Sequence, residues 1–306
     1  MASAPVYPRF SFGKTISDTF SVIGGNFGAL IALCFLFSAL PGLVFNYFYF
    51  SAMMGASANP YDAFGYLTGL MGATFIGGVL TWILFCLLET AIIRASLLHF
   101  RGERASIGDS IAFALGKLLP VLAVSFLGWA AIGVLAFVVV IVFFFLIGAT
   151  IATGDSIGAV LAVLFLLPLM MVPVIFFMIV WLVQIPAYVA ERIGVFDSFA
   201  RSWRLTRGAR WKILALCILY FVAIYIIFAV LLGVGLAMGG MGMMTAFDPT
   251  GSGVPSAAML IPTIIMQAIS SMIAALVGLP GLAALYANLR ESKEGVNRDS
   301  IADVFG

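Results

Sequence analysis

The Lys and Arg residues of this chain all fall on one side of a scheme of six apolar stretches, and this asymmetry constrains the fold more than any other feature. The stretches lie at 27–50, 66–93, 118–148, 157–185, 212–238 and 259–289. Each is long enough to cross a bilayer, since roughly 20 helical residues span about 30 Å of hydrocarbon. Only 9% of the residues are charged and 63% are hydrophobic, a composition typical of membrane proteins. The sequence therefore predicts an all-α integral membrane protein with six transmembrane helices.

The connections between the stretches predict the orientation of the chain. The first, third and fifth connections carry one charge each, on Asp62, Asp155 and Asp248, and they contain no basic residue. All 15 Lys and Arg residues lie in the other connections and at the two ends of the chain. Because basic residues near the ends of transmembrane helices stay in the cytoplasm, we expect both termini there.

A short pattern recurs on the basic side of the chain. An aspartate followed by a hydroxyl residue and an aromatic or aliphatic residue occurs at Asp18, Asp109, Asp197 and Asp299. Regular self-similarity is the signature of a repeated structural unit. We therefore predict one polytopic domain of approximate repeats at 10–98, 99–186 and 187–290, followed by a cytoplasmic tail at 291–306. Each repeat would be a helical hairpin preceded by a cytoplasmic amphipathic helix.

Helical periodicity gives the repeated segments an apolar face. Ile16, Phe20 and Ile23 share a face in the first copy, and Phe196, Phe199 and Trp203 share one in the third. A helix of this kind can lie in the membrane interface. Thr15 and Ser106 stand three residues before their aspartates, as in a capping box, so we expect the repeated aspartates to mark helix starts. A catalytic or ion-coupling role is the alternative.

The densest cluster of charge lies between the fourth and fifth stretches, in residues 201–212, which we call the basic segment. It contains the residues expected to meet lipid headgroups, Arg201, Trp203, Arg204, Arg207, Arg210, Trp211 and Lys212. Each cation near an anionic leaflet contributes about 1 kcal/mol, so generic anchoring can explain the segment. A defined site, in which guanidinium forks bind phosphate oxygens, is the alternative. Gly208 is expected to end the amphipathic helix.

Residues 186–192, 197–208 and 285–295 carry a family resemblance. They resemble the membrane domain associated with bacterial glycerophosphodiester phosphodiesterases and related free-standing six-span bacterial membrane proteins of unknown function. The resemblance implies a location in the bacterial cytoplasmic (inner) membrane and a link to phospholipid or envelope homeostasis. It does not imply the hydrolase activity.

Hydrolysis of a phosphodiester by that route needs several metal-binding carboxylates and a pair of histidines. This chain has one histidine, His99, at the end of the second stretch. Its three cysteines, Cys34, Cys86 and Cys217, lie within apolar stretches at spacings that suit neither a disulfide framework nor a metal site. We therefore expect no catalytic residues, no metal and no cofactor.

Two polar residues stand out inside the apolar stretches. Glu89 lies about one turn from Arg94 in the second stretch. An ionisable residue inside a membrane suggests a functional site, and we expect either an ion pair with a basic residue or a proton or ligand role. The second is Gln267, which forms a polar group with Ser270 and Ser271 in the sixth stretch, and we expect this group to form interhelical hydrogen bonds.

These features favour a non-catalytic membrane protein that binds lipid or scaffolds other envelope proteins. The expected partners are anionic membrane lipids and a membrane protein or a second copy of the chain, with no nucleic acid. A transporter or flippase for a lipid-like amphipathic substrate is the alternative, and it predicts a lateral opening between helices where polar residues converge. If the protein were an enzyme, only Glu89, His99 and Asp109 could serve as its acid, base or nucleophile.

Overall fold

The computed structural model describes residues 10–57, 63–154, 156–191, 193–239 and 257–295, and this part of the chain is helical with no β-strand. The helices are α1 (Phe12–Gly25), α2 (Phe27–Cys34), α3 (Leu40–Ser57), α4 (Ala63–Phe100), α5 (Ile107–Ala152), α6 (Ser156–Leu161), α7 (Leu167–Val180), α8 (Gln184–Ala190), α9 (Val195–Thr206), α10 (Arg210–Gly239) and α11 (Ala257–Glu294). Two π-helical turns, Phe35–Ala39 and Ala162–Leu166, join α2 to α3 and α6 to α7.

Six stretches of helix are long and apolar enough to cross a membrane, as the sequence predicted. They are Phe27–Tyr49, Thr68–Phe100, Ile107–Ala152, Val163–Ala190, Arg210–Val234 and Ile264–Glu294. The chain is therefore a multi-pass membrane protein. Asp62, Asp155 and Asp248, on which the expected orientation partly rests, lie outside the described residues.

The segments that precede the odd-numbered spans differ from one another. Asn26 separates α1 from α2, since its backbone leaves the helical region with φ −129°. Gly208, with φ +81°, separates α9 from α10. In the second copy no break separates the expected amphipathic segment from the third span, because α5 runs continuously from Ile107 through Pro120 to Ala152. No glycine with positive φ interrupts it, and a proline removes only one backbone hydrogen bond.

The repeated aspartates do not share one position in their helices. Asp109 and Asp197 lie in the first turns of α5 and α9. Asp18 lies in the middle of α1, so the expectation that it starts a helix is wrong. The reason is that Ser11 caps this helix instead, accepting from the backbone N–H of Lys14 at 3.5 Å. Asp299 lies outside the described residues.

The residue after each aspartate has a more uniform environment than the aspartate itself. Thr19, Ser110 and Ser198 are buried. Thr19 donates to the carbonyl oxygen of Thr15 at 2.8 Å, and Ser110 donates to that of Ser106 at 2.8 Å. Ser198 donates to the carbonyl oxygen of Val195 at 2.6 Å. A hydroxyl that bonds its own helix can lie in a packed interface without an unpaired donor.

The described chain divides into two compact units. The first unit comprises Ser11–Leu118 and Leu216–Leu285. Its core is formed by small and aliphatic side chains of α1, α2, α4, α5 and α11, among them Val22, Leu30, Leu33, Leu88, Ile92, Ala114 and Leu279. The buried side chain of Asn26 links α1 to the segment before α5. Its Oδ1 accepts from the backbone N–H of Ala105 at 3.1 Å, and its Nδ2 donates to the carbonyl oxygen of Val22.

Among the described residues, the second unit comprises Leu119–Ala215, the end of α11 from Tyr286 onward, and Phe10. Here α9 packs against α7 and α8. Ser202 of α9 is buried and donates to the carbonyl oxygen of Val180, at the end of α7, at 2.6 Å. Aromatic rings of α7 and α9, with Trp181 between these helices, form a chain of edge-on or tilted contacts that joins Phe176, Phe177, Trp181, Phe199 and Trp203.

Candidate functional site

The second unit contains an ion-pair network that brings together three segments of the chain. Nε of Arg201, on α9, lies 2.8 Å from Oε2 and 2.9 Å from Oε1 of Glu191, the residue that follows α8. Nη1 of Arg201 pairs with Oε1 of Glu294, at the end of α11. Arg290 lies between the two carboxylates, with its Nε 3.1 Å from Oε2 of Glu294 and 3.8 Å from Oε1 of Glu191. We call these four residues with Tyr286 the clasp.

Tyr286 completes the clasp. Its hydroxyl donates to Oε1 of Glu191 at 2.6 Å, a short charge-assisted hydrogen bond. The sequence explains why α11 can supply three members, because Tyr286, Arg290 and Glu294 are spaced by four residues and lie on one face of a helix. Glu191 reaches them because the chain leaves α8 at this residue in an extended conformation.

The electrostatics of the clasp balance. Two guanidinium groups face two carboxylates, and all four side chains are mostly buried, with Arg201 15% and Glu191 13% exposed. Burial alone lowers the pKa of Arg201. Hydrogen bonds to Glu294 and Glu191 and attraction to their charges raise the pKa by more, so the net pKa lies above the ordinary value. Removing one partner would leave a poorly hydrated charge without compensation.

The seven residues expected to meet lipid headgroups divide into two sets. Arg201 belongs to the clasp, so it is occupied by carboxylates and does not present its guanidinium to solvent. Arg210 also turns inward, with its guanidinium carbon 4.8 Å from the ring centre of Phe176 and 4.6 Å from that of Trp203. Such cation–π contacts stabilise a guanidinium away from water. Exposed side chains are those of Trp203, Arg204, Arg207, Trp211 and Lys212.

The backbone around Gly208 orients these exposed residues. After α9 ends at Thr206, Gly208 adopts the left-handed conformation and α10 begins at Arg210. Lys293 of α11 donates to the carbonyl oxygen of Arg207 at 2.6 Å. This bond links the turn to α11, and α10 begins three residues after Arg207 in the sequence. Helix N-termini and cations both favour anions.

The polar residues noted inside the spans have different environments. Ser271 forms an interhelical hydrogen bond, as expected, and accepts from the hydroxyl of Ser38 at 3.2 Å. Glu89 is buried on α4, and it forms no hydrogen bond or ion pair with any described residue. The expected ion pair with a basic residue is absent from the described residues. The nearby Arg94 donates to the carbonyl oxygen of Asp109 at 2.8 Å and lies over the ring of Phe113. Gln267 faces a cavity between α10 and α11.

Sequence reasoning missed the clasp. Glu191, Tyr286, Arg290 and Glu294 were noted only as part of a resemblance, although their charges and the four-residue spacing on α11 were signals of an inward-facing network. His99 lies at the end of α4, where its Nε2 is 3.0 Å from the hydroxyl of Ser21. Within the described ranges, no three His, Cys, Asp or Glu side chains form a group that could hold a metal ion.

Comparison with known proteins gives one result. The profile of the family described as Domain of unknown function (DUF7847) matches residues 11–289. The match includes α1, the basic segment and three members of the clasp, Glu191, Arg201 and Tyr286. No curated protein and no solved structure matches the chain.

Proposed function

We propose, for a chain that belongs to the DUF7847 family of domains of unknown function, that it is a non-catalytic protein of the bacterial inner membrane that binds anionic lipid headgroups at its basic segment. Both termini would face the cytoplasm, as the distribution of Lys and Arg favours. The bacterial location follows the resemblance of residues 186–208 and 285–295 to bacterial six-span proteins.

The observation that carries this proposal is the exposure of three cations and two tryptophans at the junction of α9 and α10. Trp211 is 84% exposed and Trp203 39%, and exposed tryptophans are enriched at the headgroup level of membranes. Arg204, Arg207 and Lys212 are exposed beside them. Three cations near an anionic leaflet supply about 3 kcal/mol in total.

The clasp supports the proposal by fixing the position of these cations. Arg201 anchors α9 to Glu191 and Glu294, and Lys293 holds the turn at Arg207. A binding site held in one geometry loses less conformational freedom when a ligand binds. The clasp is thus a support for the headgroup site, and Arg201 acts through it and not by direct contact with lipid.

The exposed faces of α1 and α9 support an interfacial position for both helices. Phe20 on α1 and Phe196 on α9 are 60% and 77% exposed. The opposite faces are buried and carry small hydroxyl residues, including Thr15, Thr19, Ser198 and Ser202. An amphipathic helix with aromatic residues on its outer face is suited to the boundary between headgroups and acyl chains.

The test is the stabilisation of the detergent-solubilised full chain by added lipid. A ligand that binds the folded state raises the midpoint of thermal unfolding. We expect dioleoyl phosphatidylglycerol to raise this midpoint more than dioleoyl phosphatidylcholine does. The triple variant Arg204→Gln, Arg207→Gln, Lys212→Gln should lose the difference between the two lipids, and added salt should reduce it in the wild type.

The matched control removes the same number of charges elsewhere, in the variant Arg101→Gln, Arg104→Gln, Lys117→Gln. It should keep most of the phosphatidylglycerol effect if the basic segment is a defined site. Equal losses in both variants would mean generic attraction of a basic surface. No preference for phosphatidylglycerol in the wild type would reject the proposal.

A transporter or flippase for a lipid-like amphipathic substrate is the second candidate. The observation that favours it is the cavity between α10 and α11, into which Gln267 projects. In vesicles containing the purified protein, a fluorescent phospholipid should reach the opposite leaflet faster than in protein-free vesicles. The variant Gln267→Leu should slow that transfer, and equal rates with and without protein would exclude it.

A further inference from the structure

Arg210, the first residue of α10, has a guanidinium group whose buried nitrogens lack a partner. The guanidinium carbon lies 4.8 Å from the ring centre of Phe176 and 4.6 Å from that of Trp203. Its Nε and Nη2 atoms are buried and form no hydrogen bond with any residue in the described ranges. Adjacent nitrogens of one guanidinium can bind both oxygens of a carboxylate or a phosphate. Because buried donors are nearly always paired, this fork calls for an acceptor that the described helices do not supply.

A second arginine of the chain shows what a guanidinium held by an aromatic ring can bind. Arg94, on α4, lies over the ring of Phe113, with its guanidinium carbon 4.5 Å from the ring centre. Arg94 also donates to the carbonyl oxygen of Asp109 at 2.8 Å. Asp109 begins the second copy of the repeated aspartate pattern. An arginine stacked on an aromatic ring therefore already binds the start of one copy of this pattern.

The end of α11 lies beside the turn that leads to Arg210. Nζ of Lys293 donates to the carbonyl oxygen of Arg207 at 2.6 Å, and it lies 3.6 Å from the position of a Cβ atom on Gly208. Arg210 follows Gly208 by two residues, so their Cα atoms are at most about 7 Å apart. The helix α11 ends at Glu294, one residue after Lys293. The chain therefore leaves α11 next to the basic segment.

The residues that follow α11 have the chemistry and the reach to supply the acceptor. Residues 296–306, which we call the acidic segment, lie outside the described residues and contain Asp299 and Asp303. Asp299 begins the fourth copy of the repeated aspartate pattern. It comes four residues after Gly295, a distance of up to about 14 Å in an extended chain, and Asp303 can lie about twice as far away. Both carboxylates can therefore reach the basic segment.

The two segments also have opposite charge. Arg204, Arg207 and Lys212 of the basic segment are exposed. The acidic segment carries two aspartates and one arginine, Arg298, which gives it a net charge of −1. A short stretch of the same chain has an effective concentration of about a millimolar, so a few weak ion pairs are enough to favour its binding.

We propose that the acidic segment docks on the basic segment, with the carboxylate of Asp299 in the fork of Arg210 and that of Asp303 beside the exposed cations. The docked segment covers cations that the proposed lipid site needs, so it competes with the phosphate groups of anionic lipids. This competition rests on the function proposed above, whereas the docking itself does not. The acidic segment thus regulates the headgroup site from within the same chain.

The test is photo-crosslinking of the full chain in detergent, in the variant Phe305→benzoylphenylalanine. This residue is part of the acidic segment but is not one of its charged members. Mass spectrometry of peptides from the irradiated monomer then locates the attachment. We expect residues 203–212 to carry several times more crosslink than residues 101–117. That control stretch is also basic, with Arg101, Arg104 and Lys117, so it reports unspecific attraction.

Charge variants in the same background test the contacts. The double variant Asp299→Asn, Asp303→Asn should lower the crosslink to the basic segment about fivefold, the factor expected for two exposed ion pairs. Arg298→Gln makes the acidic segment more negative and should raise the crosslink. Arg210→Lys keeps the charge but loses the fork, so it should lower the crosslink. The midpoint of thermal unfolding of each variant verifies that the chain is folded.

Added lipid tests the competition. Dioleoyl phosphatidylglycerol should lower the crosslink to the basic segment, and dioleoyl phosphatidylcholine should lower it less. If phosphatidylglycerol raises the midpoint of thermal unfolding but leaves the crosslink unchanged, the lipid and the acidic segment do not share a site, and the competition is wrong. If phosphatidylglycerol has no effect on the midpoint while the crosslink still depends on Asp299 and Asp303, the headgroup proposal fails and the docking stands. The two failures are therefore distinguishable.

Three outcomes would overturn the docking: equal crosslinking to the basic segment and to residues 101–117, a yield unchanged by Asp299→Asn, Asp303→Asn, or crosslinks that join only two separate chains. The last outcome would assign the basic segment to a second copy. A lipid phosphate in the fork of Arg210 would have another signature. Arg210→Lys would then weaken the effect of phosphatidylglycerol on thermal unfolding and leave the crosslink unchanged, which also contradicts the docking.

Discussion

Tyr286 donates its hydroxyl hydrogen to Glu191 at 2.6 Å, across 95 residues of sequence. This bond and the ion pairs around it join the end of α8, the helix α9 and the last turns of α11. The exposed cations of the basic segment follow directly in the chain. We therefore expect the stability of the clasp to affect the proposed lipid binding at the basic segment, and substitutions in each can test the two separately.

Replacing Glu191 tests the clasp as a unit. Glu191→Gln keeps the shape of the side chain but leaves Arg201 and Arg290 with one carboxylate between them. Loss of one partner from a mostly buried pair costs about 3 kcal/mol, so the free energy of unfolding in detergent should fall by that amount. Glu103→Gln is the matched control, because Glu103 is 58% exposed and 4.0 Å from Arg101. It should cost less than about 1 kcal/mol, and equal losses would contradict a structural role for the clasp.

Replacing Tyr286 isolates a single hydrogen bond of the clasp. Tyr286→Phe should lower the free energy of unfolding by about 2 kcal/mol, since the acceptor is a carboxylate. In the Glu191→Gln background the same substitution should cost clearly less, because both changes act on one bond. Tyr47→Phe, at an exposed position, should have almost no effect. Strict additivity of the two clasp substitutions would show that Tyr286 acts through another contact.

The six spans could be predicted from the sequence because they depend on the length of apolar stretches alone. The fifth was expected at 212–238, and α10 covers Arg210–Gly239. Helix boundaries were less predictable. Nothing in the apolar pattern distinguishes Asn26, where the helix breaks, from Pro120, where it continues. The break at Asn26 coincides with a tertiary hydrogen bond to Ala105, which the local sequence does not reveal.

The candidate site was predictable only in part for the same reason. The charge and tryptophan content of residues 201–212 identified the basic segment, but not which side chains turn inward. Arg201 and Arg204 look equivalent in sequence, yet only Arg201 reaches Glu191 and Glu294. Glu89 was expected to pair with a basic residue, whereas the nearby Arg94 contacts Asp109 and Phe113. In both cases the contacts of the arginine depend on residues that are distant in the sequence.

Asn26 offers a test of the first unit. Asn26→Leu removes the acceptor for the backbone N–H of Ala105 and the donor to Val22. A buried backbone N–H without a partner costs about 2 kcal/mol, and the free energy of unfolding should fall accordingly. Asn46→Leu removes one bond within a single helix and should cost less than about 1 kcal/mol. A larger loss for Asn46→Leu would show that the bond to Ala105 does not stabilise the fold.

The charge state of Arg201 predicts how stability depends on pH. A cation whose pKa is raised on folding stabilises the folded state below its unfolded pKa, and this contribution is lost as the pH rises through the folded pKa. For Arg201, whose pKa is raised by Glu294 and Glu191 against the effect of burial, that loss lies above about pH 12. Arg201 should therefore keep its charge throughout the range in which the protein can be handled.

The variant Arg201→Lys should lose the contribution of this cation to stability at a lower pH, because the pKa of an unperturbed lysine is about 10.4. A single ammonium also cannot form the fork that reaches Glu191 and Glu294 together. The variant should be less stable than the wild type at neutral pH. The difference in free energy of unfolding should grow as the pH rises above about 10.4, the pKa of an unperturbed lysine. Arg104→Lys, at an exposed position, should follow the wild type at every pH. If the Arg201→Lys difference stays constant over this range, the charge at position 201 does not stabilise the fold, and shape alone explains the clasp.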